Sequence, residues 1–239
     1  MKYDLEKLRS KRSKVNAMAE TKTVVKDSEG YYQPFTDKSG IGSAILRFLP
    51  PLDGEEVPFV RVYNHAFQVP STKWFIDLCP TTLELPCPVC ESNSTHWNGS
   101  DKDLASLRKR KMVYISNVLV VRDPRQPENE GKVFLYKFGA KIMGKLNDAI
   151  TPPSSDTDPV DPFDAEEGAN FRLRIVGNLG FPDYDRSSFD PTSPIDPGIV
   201  ESVLKQRRSL VAIIDPSQFK TYDELKRKFD QIVAVAKTA

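Results

Sequence analysis

The sequence predicts a mainly β fold with some α, and three observations carry that expectation. Nineteen prolines in 239 residues punctuate the chain too often for a helical bundle and suit short strands and loops. Met112 to Val121 (MVYISNVLVV) is the clearest strand, β-branched and aromatic. All three cysteines fall between Cys79 and Cys90, the spacing of a metal site rather than of scattered core thiols. With 39% hydrophobic residues the chain can bury a core, as one large domain or two modest ones.

In chain order, residues 1–20 read as a basic arm. It is densest around Ser10, Lys11, Arg12 and Ser13, with Leu5, Leu8, Val15 and Met18 between the cations. Residues 21–239 form the core. Gly42 to Leu49 alternates as a first strand and stops at Pro50-Pro51, and Val57 to Phe67 gives a strand pair or hairpin arm leading into the cysteines. A polar loop follows from Cys90 to Asp103. Arg108-Lys109-Arg110-Lys111 then feeds the strand 112–121. Arg122 to Gly131 is a loop rich in Pro, Asn and Gly, and Lys132 to Phe138 returns, closing an antiparallel hairpin.

A short helix spans about Ala140 to Ala149, with Lys141 and Lys145 on one face. Residues 151–168 lack periodicity and read as loop or linker. Phe171 to Val176 alternates strictly as a strand, Gly180 to Asp185 makes an aromatic turn, and Ile199 to Leu210 suits a helix. Thr221-x-x-Glu224 is a capping box. It opens a last helix whose Leu225, Phe229, Ile232 and Val233 form an apolar stripe that must dock on something.

His65, Cys79, Cys87 and Cys90 have the chemistry of a closed zinc site, three thiolates and one imidazole with no coordination position left for substrate. Cys87-Pro88-Val89-Cys90 is the strong half, because a two-residue gap lets both sulfurs enter one shell. Cys79 returns across a loop containing Pro80 and Pro86. His96 competes for the fourth place. His65 is preferred because the alternating run Val60 to His65 can hold its ring rigidly. The expected cofactor is therefore one structural Zn2+, supporting residues 60–105 as a zinc subdomain. No H-E-x-x-H helix is present, which argues against a catalytic metal.

The formal charge of +1 hides a segregation. Residues 1–26 hold eight Lys/Arg against three Asp/Glu, residues 101–150 eleven against six, and residues 156–196 three against ten. Such division favours an anionic partner on one side. The cations at 108–111, Tyr114 on the following strand, and Tyr136 with Lys137 on the returning one combine basic side chains with aromatic platforms. Sequence-tolerant single-strand binding needs that combination, and short strands with such a face suit an OB-type barrel. The competing reading makes Tyr114 and Tyr136 core residues and the cations a solvated strand end.

The runs RKRKMVYISNVLVVRDP, PENEGKVFLYKFGAKI, EEGANFRLRI and GFPDYDRSSF, with GSAILRFLP and the NH…C…CPVC arrangement, closely resemble the single-stranded DNA-binding proteins of T-even-type phages. The resemblance covers roughly residues 40–190. It implies an OB-fold core with an inserted zinc-binding subdomain, a DNA cleft between them, and no enzymatic activity. The same four metal ligands are implied, as are cleft residues Arg108, Lys109, Arg110, Lys111, Tyr114, Tyr136, Phe181 and Tyr184. It further implies cooperative binding through the arm (Ser10, Lys11, Arg12, Ser13), with neighbouring copies and phage replication, recombination and repair proteins as partners. The cytoplasm of the infected host cell, with no membrane association, is the implied setting.

This sequence also departs from the family pattern. The family's Trp after the first cleft Tyr is Ile115 here. Tyrosines expected between the metal ligands and the basic run are mostly missing, with Trp97 present instead. The acidic C-terminal tail of the family has no counterpart before Ala239. Two other classes fit parts of the sequence: a zinc-dependent nuclease, which four-ligand closure disfavours, and a zinc-stabilised protein-interaction module.

Overall fold

A twelve-residue strand organises the computed structural model, which describes residues 30–68, 74–99, 101–178 and 181–238. The arm with Ser10, Lys11, Arg12 and Ser13 lies outside the described residues. The strands are β1 (Gly42–Phe48), β2 (Phe59–Gln68), β3 (Trp74–Leu78), β4 (Lys111–Arg122), β5 (Val133–Phe138), β6 (Ala169–Asn178), β7 (Phe181–Asp183) and β8 (Ser188–Thr192). The helices are α1 (Pro88–Asn98), α2 (Lys102–Arg108), α3 (Ala140–Ile150), α4 (Val200–Lys205) and α5 (Tyr222–Thr238).

β4 is the long one. Its β-branched run favours extended backbone, and its length lets two strands share one side. β2 pairs with residues 111–116 and β1 with 118–122, while β5 pairs along the other side. β6 joins β1 and carries β8 and β7 on its far side, and β3 extends β2. Every one of these pairings is antiparallel. A bulge between Ile45 and Leu46 adds twist where the sheet must curl.

The curl wraps one face around a core of Leu46, Phe48, Val118, Val120, Phe138, Phe171, Leu173 and Ile175, closed by Ile142, Met143 and Leu146 of α3. Phe48 lies edge-on to Phe138, Phe163 and Phe171 at 5.5–5.7 Å. Among the described residues, the outer edge of β5 meets no other long strand. Gly30 to Tyr32 covers it, with Leu135 donating to Gly30 and Tyr32 donating to Leu135. The OB-type core is thus an open half-barrel, mainly β with some α as expected.

A second core sits further along the same sheet face. Phe67 of β2 stacks on Phe75 of β3 at 5.0 Å, and Val89 of α1 joins them with Leu225, Phe229 and Ile232 of α5. The apolar stripe of the last helix docks here. Its capping box forms as expected: Thr221 N–H donates to Glu224 (2.9 Å) and Glu224 N–H to the Thr221 hydroxyl (3.3 Å). Lys220 and Lys228 of this C-terminal segment both pair with Asp77 of β3, and the Tyr222 hydroxyl bonds Glu91 of α1.

Several expectations are corrected. The polar stretch after Cys90 is helix α1 rather than a loop. Pro88 occupies its first turn, where a missing N–H costs nothing, and the buried Asn93 amide ties it to the Ala105 carbonyl at 3.2 Å. Residues 151–168 do not behave as a linker, since Phe163 is buried in the main core. The helix expected over 199–210 is only α4, β3 and β8 were not foreseen, and part of the turn expected over 180–185 is strand β7, paired with β6.

Candidate nucleic-acid interface and metal site

Period-two alternation decides what each strand residue can do. On β2, Phe59 reaches the main core, whereas His65 and Phe67 on the same face reach the second one. Arg61 and Tyr63 lie between, exposed and half-buried respectively. Register sets Arg61 opposite Tyr114 and Tyr63 opposite Met112 of β4. Two cores therefore rise from one continuous sheet face, and the strip between them is floored by Arg61, Tyr63, Met112 and Tyr114. The Tyr114 ring is held from behind by Phe138, stacked at 5.8 Å, and Phe59, edge-on at 5.9 Å.

At the metal-site end of the strip, the Arg110 guanidinium lies 4.2 Å from the Tyr63 ring centroid and that of Arg61 5.4 Å. Arg110 also donates to the Thr81 hydroxyl at 2.5 Å. At the barrel end, Lys141 of α3 pairs with Asp183 and Asp185 at 2.8 and 2.9 Å, and Lys145 donates to the Asp185 carbonyl. The cationic helix face is thereby spent on holding the turn that carries Tyr184. Tyr184 is half-buried against the main core, and Phe181 stands 49% exposed on β7. No ring contact joins either of them to Tyr114 among the described residues.

Four of the expected DNA-binding residues are placed differently from expectation. Tyr136 is 2% exposed, packed between Tyr32 and Phe138, and burial drives its pKa well up. It supports the floor from below. Lys137 follows it in sequence and so points to the opposite sheet face, with its ammonium 4.4 Å from the Tyr31 ring centroid and its pKa lowered by burial to about 8. Lys111 likewise alternates away from Arg110 and Tyr114. Arg108 is 4% exposed, its guanidinium over Phe67 and Phe229. Lys109 and Arg110 remain exposed. Arg61 and Tyr63 carried no sequence signal of their own, because only the β2–β4 register reveals their shared face with Tyr114.

His65, Cys79, Cys87 and Cys90 bring their ligand atoms within 4.8 Å of one another. His65 Nε2 is 3.5 Å from the Cys87 sulfur and 3.4 Å from that of Cys90, and Cys79 and Cys90 are 3.6 Å apart. A tetrahedral ion with bonds of ~2.3 Å to sulfur and ~2.0 Å to nitrogen requires edges of about 3.8 and 3.5 Å. The donor set therefore fits such an ion. His65 Nδ1 donates to the Arg108 carbonyl at 3.0 Å; a carbonyl only accepts, so Nδ1 carries the proton and Nε2 faces the sulfurs. His96 lies outside this cluster.

The four ligand groups share hydrogen bonds, which shift the proton affinities of His65, Cys79 and Cys90. Burial alone would lower the His65 pKa, but hydrogen bonds to the neighbouring sulfurs outweigh it and raise the value to about 9. Hydrogen bonds from Cys87 and Cys90 hold the Cys79 thiol far below its ordinary range, and the same sulfur contacts push Cys90 up. A cation bound there would require the thiols to be deprotonated, so its affinity would fall with acid.

The chain matches the family described as gp32 DNA binding protein like over residues 40–233. It is 38% identical over 220 residues to the single-stranded DNA-binding protein of Enterobacteria phage T4, covering 88% of this chain and 72% of that protein. The protein of the same name from Enterobacteria phage T2 matches with the same identity and coverage. A further one, from Enterobacteria phage RB70, is 35% identical over 92 residues, covering 37% of this chain and 77% of that relative. Taken with a fold that carries the site along the same matched span, these similarities assign the chain to the gp32 DNA-binding-protein-like family.

Proposed function

We propose that this chain is a sequence-nonspecific, cooperative single-stranded DNA-binding protein that coats strands during phage replication, recombination and repair, and that it catalyses nothing. The observation that carries this reading is the strip between the two cores, where an aromatic floor meets Arg61 and Arg110, neither of which has a carboxylate partner among the described residues. Bases already stacked in a duplex cannot reach such rings, while a flexible single strand can lay bases on them and phosphates on the cations. Tyr114 supplies the central platform, Arg110 a phosphate contact, and Phe181 and Tyr184 the far end of the path. Tyr136 and Arg108 act from beneath, and Lys111 and Lys137 leave the set because they face the other way.

The four-ligand site takes one Zn2+ in this reading, and it is closed, so its role is to hold residues 60–105 with α5. No helix among the described residues is long and apolar enough to cross a membrane, and the proposed setting is the cytoplasm of the infected cell. The test of the path is a set of oligo-dT titrations. Tyr114→Ala should weaken binding by about 1–3 kcal/mol with its salt dependence unchanged. Arg110→Gln should flatten the slope of log K against log salt by roughly 0.7, and Tyr136→Phe should bind as the parent does. Unchanged binding by Tyr114→Ala would show that its ring is only core.

The arm, with Ser10, Lys11, Arg12 and Ser13, is proposed to dock on the neighbouring copy along the coated strand. Leu5, Leu8, Val15 and Met18 give it an apolar element that phosphate contact does not require. Deleting residues 1–18 should leave affinity for a short oligomer within a few-fold and abolish cooperative coating of long strands. Equal weakening on short and long strands would make the arm a DNA contact instead.

A further inference from the structure

We propose that Tyr63, with Arg61 and Arg110, forms a base-and-phosphate subsite that extends the single-strand path from Tyr114 across β2 toward the metal site. This rests on the single-strand reading above and adds to it a second platform. Three independent observations converge on it.

Register comes first. Arg61 stands directly opposite Tyr114 and Tyr63 opposite Met112, so Tyr63 and Tyr114 are diagonal neighbours on one face. Such positions are about 7–8 Å apart, a distance one stretched nucleotide spans. The intervening Met112 is 37% exposed, leaving an apolar floor between the rings rather than a wall.

Charge comes second. Two guanidinium groups converge on the single Tyr63 ring, at 4.2 and 5.4 Å. Neither Arg61 nor Arg110 has a carboxylate within ion-pair distance among the described residues, whereas Lys220 and Lys228 share Asp77. Like charges held together with no counter-charge favour an incoming anion. A phosphate supplies it.

Rigidity comes third. The Tyr63 carbonyl accepts from Cys79 N–H at 2.8 Å, and its N–H donates to the Thr82 hydroxyl at 2.9 Å. Both main-chain groups are fixed by the loop that carries a metal ligand, and the ring packs on the second core. A preorganised ring loses little freedom when a base lands on it. In the free protein the Arg110 guanidinium covers that ring. On binding it turns to a phosphate, and a base takes its place.

The test uses the full chain and an oligo-dT short enough to hold one protein. Tyr63→Leu keeps an apolar side chain against the second core and should weaken binding roughly tenfold with an unchanged salt slope, while Tyr63→Phe binds as the parent. Arg61→Gln should lower the salt slope by roughly 0.7. Metal content checks that the Leu variant is folded; if it is not, Tyr63→Trp decides, since a stacked thymine must quench its emission beyond the quenching of the parent's own tryptophans. Parent-like binding by Tyr63→Leu, or no added quenching in Tyr63→Trp, overturns the subsite. Tyr114→Ala run in parallel separates the two levels: its loss beside an unaffected Tyr63→Leu removes this subsite alone, whereas a parent chain that ignores oligo-dT removes the single-strand reading itself.

Discussion

Cys87→Ser is expected to unfold the metal-site unit while the half-barrel stays intact. The reason is the size of the second core. It buries eight residues, two of them the ligand cysteines Cys79 and Cys87, against fifteen in the main core. A cluster that small does not offset the chain entropy of residues 60–108 and of α5 without help. A structural ion held by the four ligands would supply that help, since its binding free energy would appear as folding free energy. Serine at 87 removes one thiolate and leaves two sulfurs and an imidazole facing a hydroxyl in a buried site. The expected result is a metal content near zero and an early melting transition, with loss of amide protection confined to β2, β3, α1, α2 and α5. Acid should produce the same state, because thiolates reprotonate and release the ion. His96→Ala should change nothing. A metal-free Cys87→Ser protein with parental melting and protection would refute a structural metal.

The second large effect belongs to Phe229→Ala. Phe229 is 6% exposed and lies edge-on to Phe67 and Phe75 at 6.3 and 6.1 Å, with the Arg108 guanidinium 5.3 Å from its centroid. Truncating a buried phenylalanine costs about 3–5 kcal/mol. Here it also uncovers a guanidinium whose Nε already lacks a partner among the described residues. The ion pairs of Lys220 and Lys228 with Asp77 do not replace the apolar contact that the truncation removes. The helix should therefore detach, and binding of DNA should weaken because Arg108, whose carbonyl orients His65, loses its support. Hydrogen exchange reads this directly. Faster exchange in α5 and around Arg108, with β1 and β6 unchanged, is expected. Protection of α5 equal to the parent's would show that its apolar stripe is not what holds it.

Much of this arrangement was legible because it follows local rules. The alternation of β1, β4, β5 and β6, the Thr221–Glu224 box and the Cys87-Pro88-Val89-Cys90 turn each leave a pattern a few residues long. Helix α1 does not. Its segment Glu91–Asn98 carries no apolar stripe, since it is anchored by ligand cysteines at its start, by Asn93 and by the Tyr222–Glu91 bond from a distant helix. The opposition of Tyr136 and Lys137 was in the alternation all along; grouping them by proximity in sequence overlooked the two faces. Burial of Tyr136 and Arg108 depended on how far the sheet curls and on where α5 lands, which no local pattern encodes. Arg61 and Tyr63 depended on register with Tyr114 and Met112, partners on a strand far along the chain.

The central claim is that this strip selects single strands by stacking and phosphate contact. Titration of the purified chain with poly(dT) and with duplex DNA of matched length, at two salt concentrations, tests it most directly. The expected result is strong preference for poly(dT), with log K for it falling as log salt rises, by about 0.7 for each phosphate contacted. Equal affinity for the two polymers, or binding to poly(dT) that salt does not weaken, would contradict it.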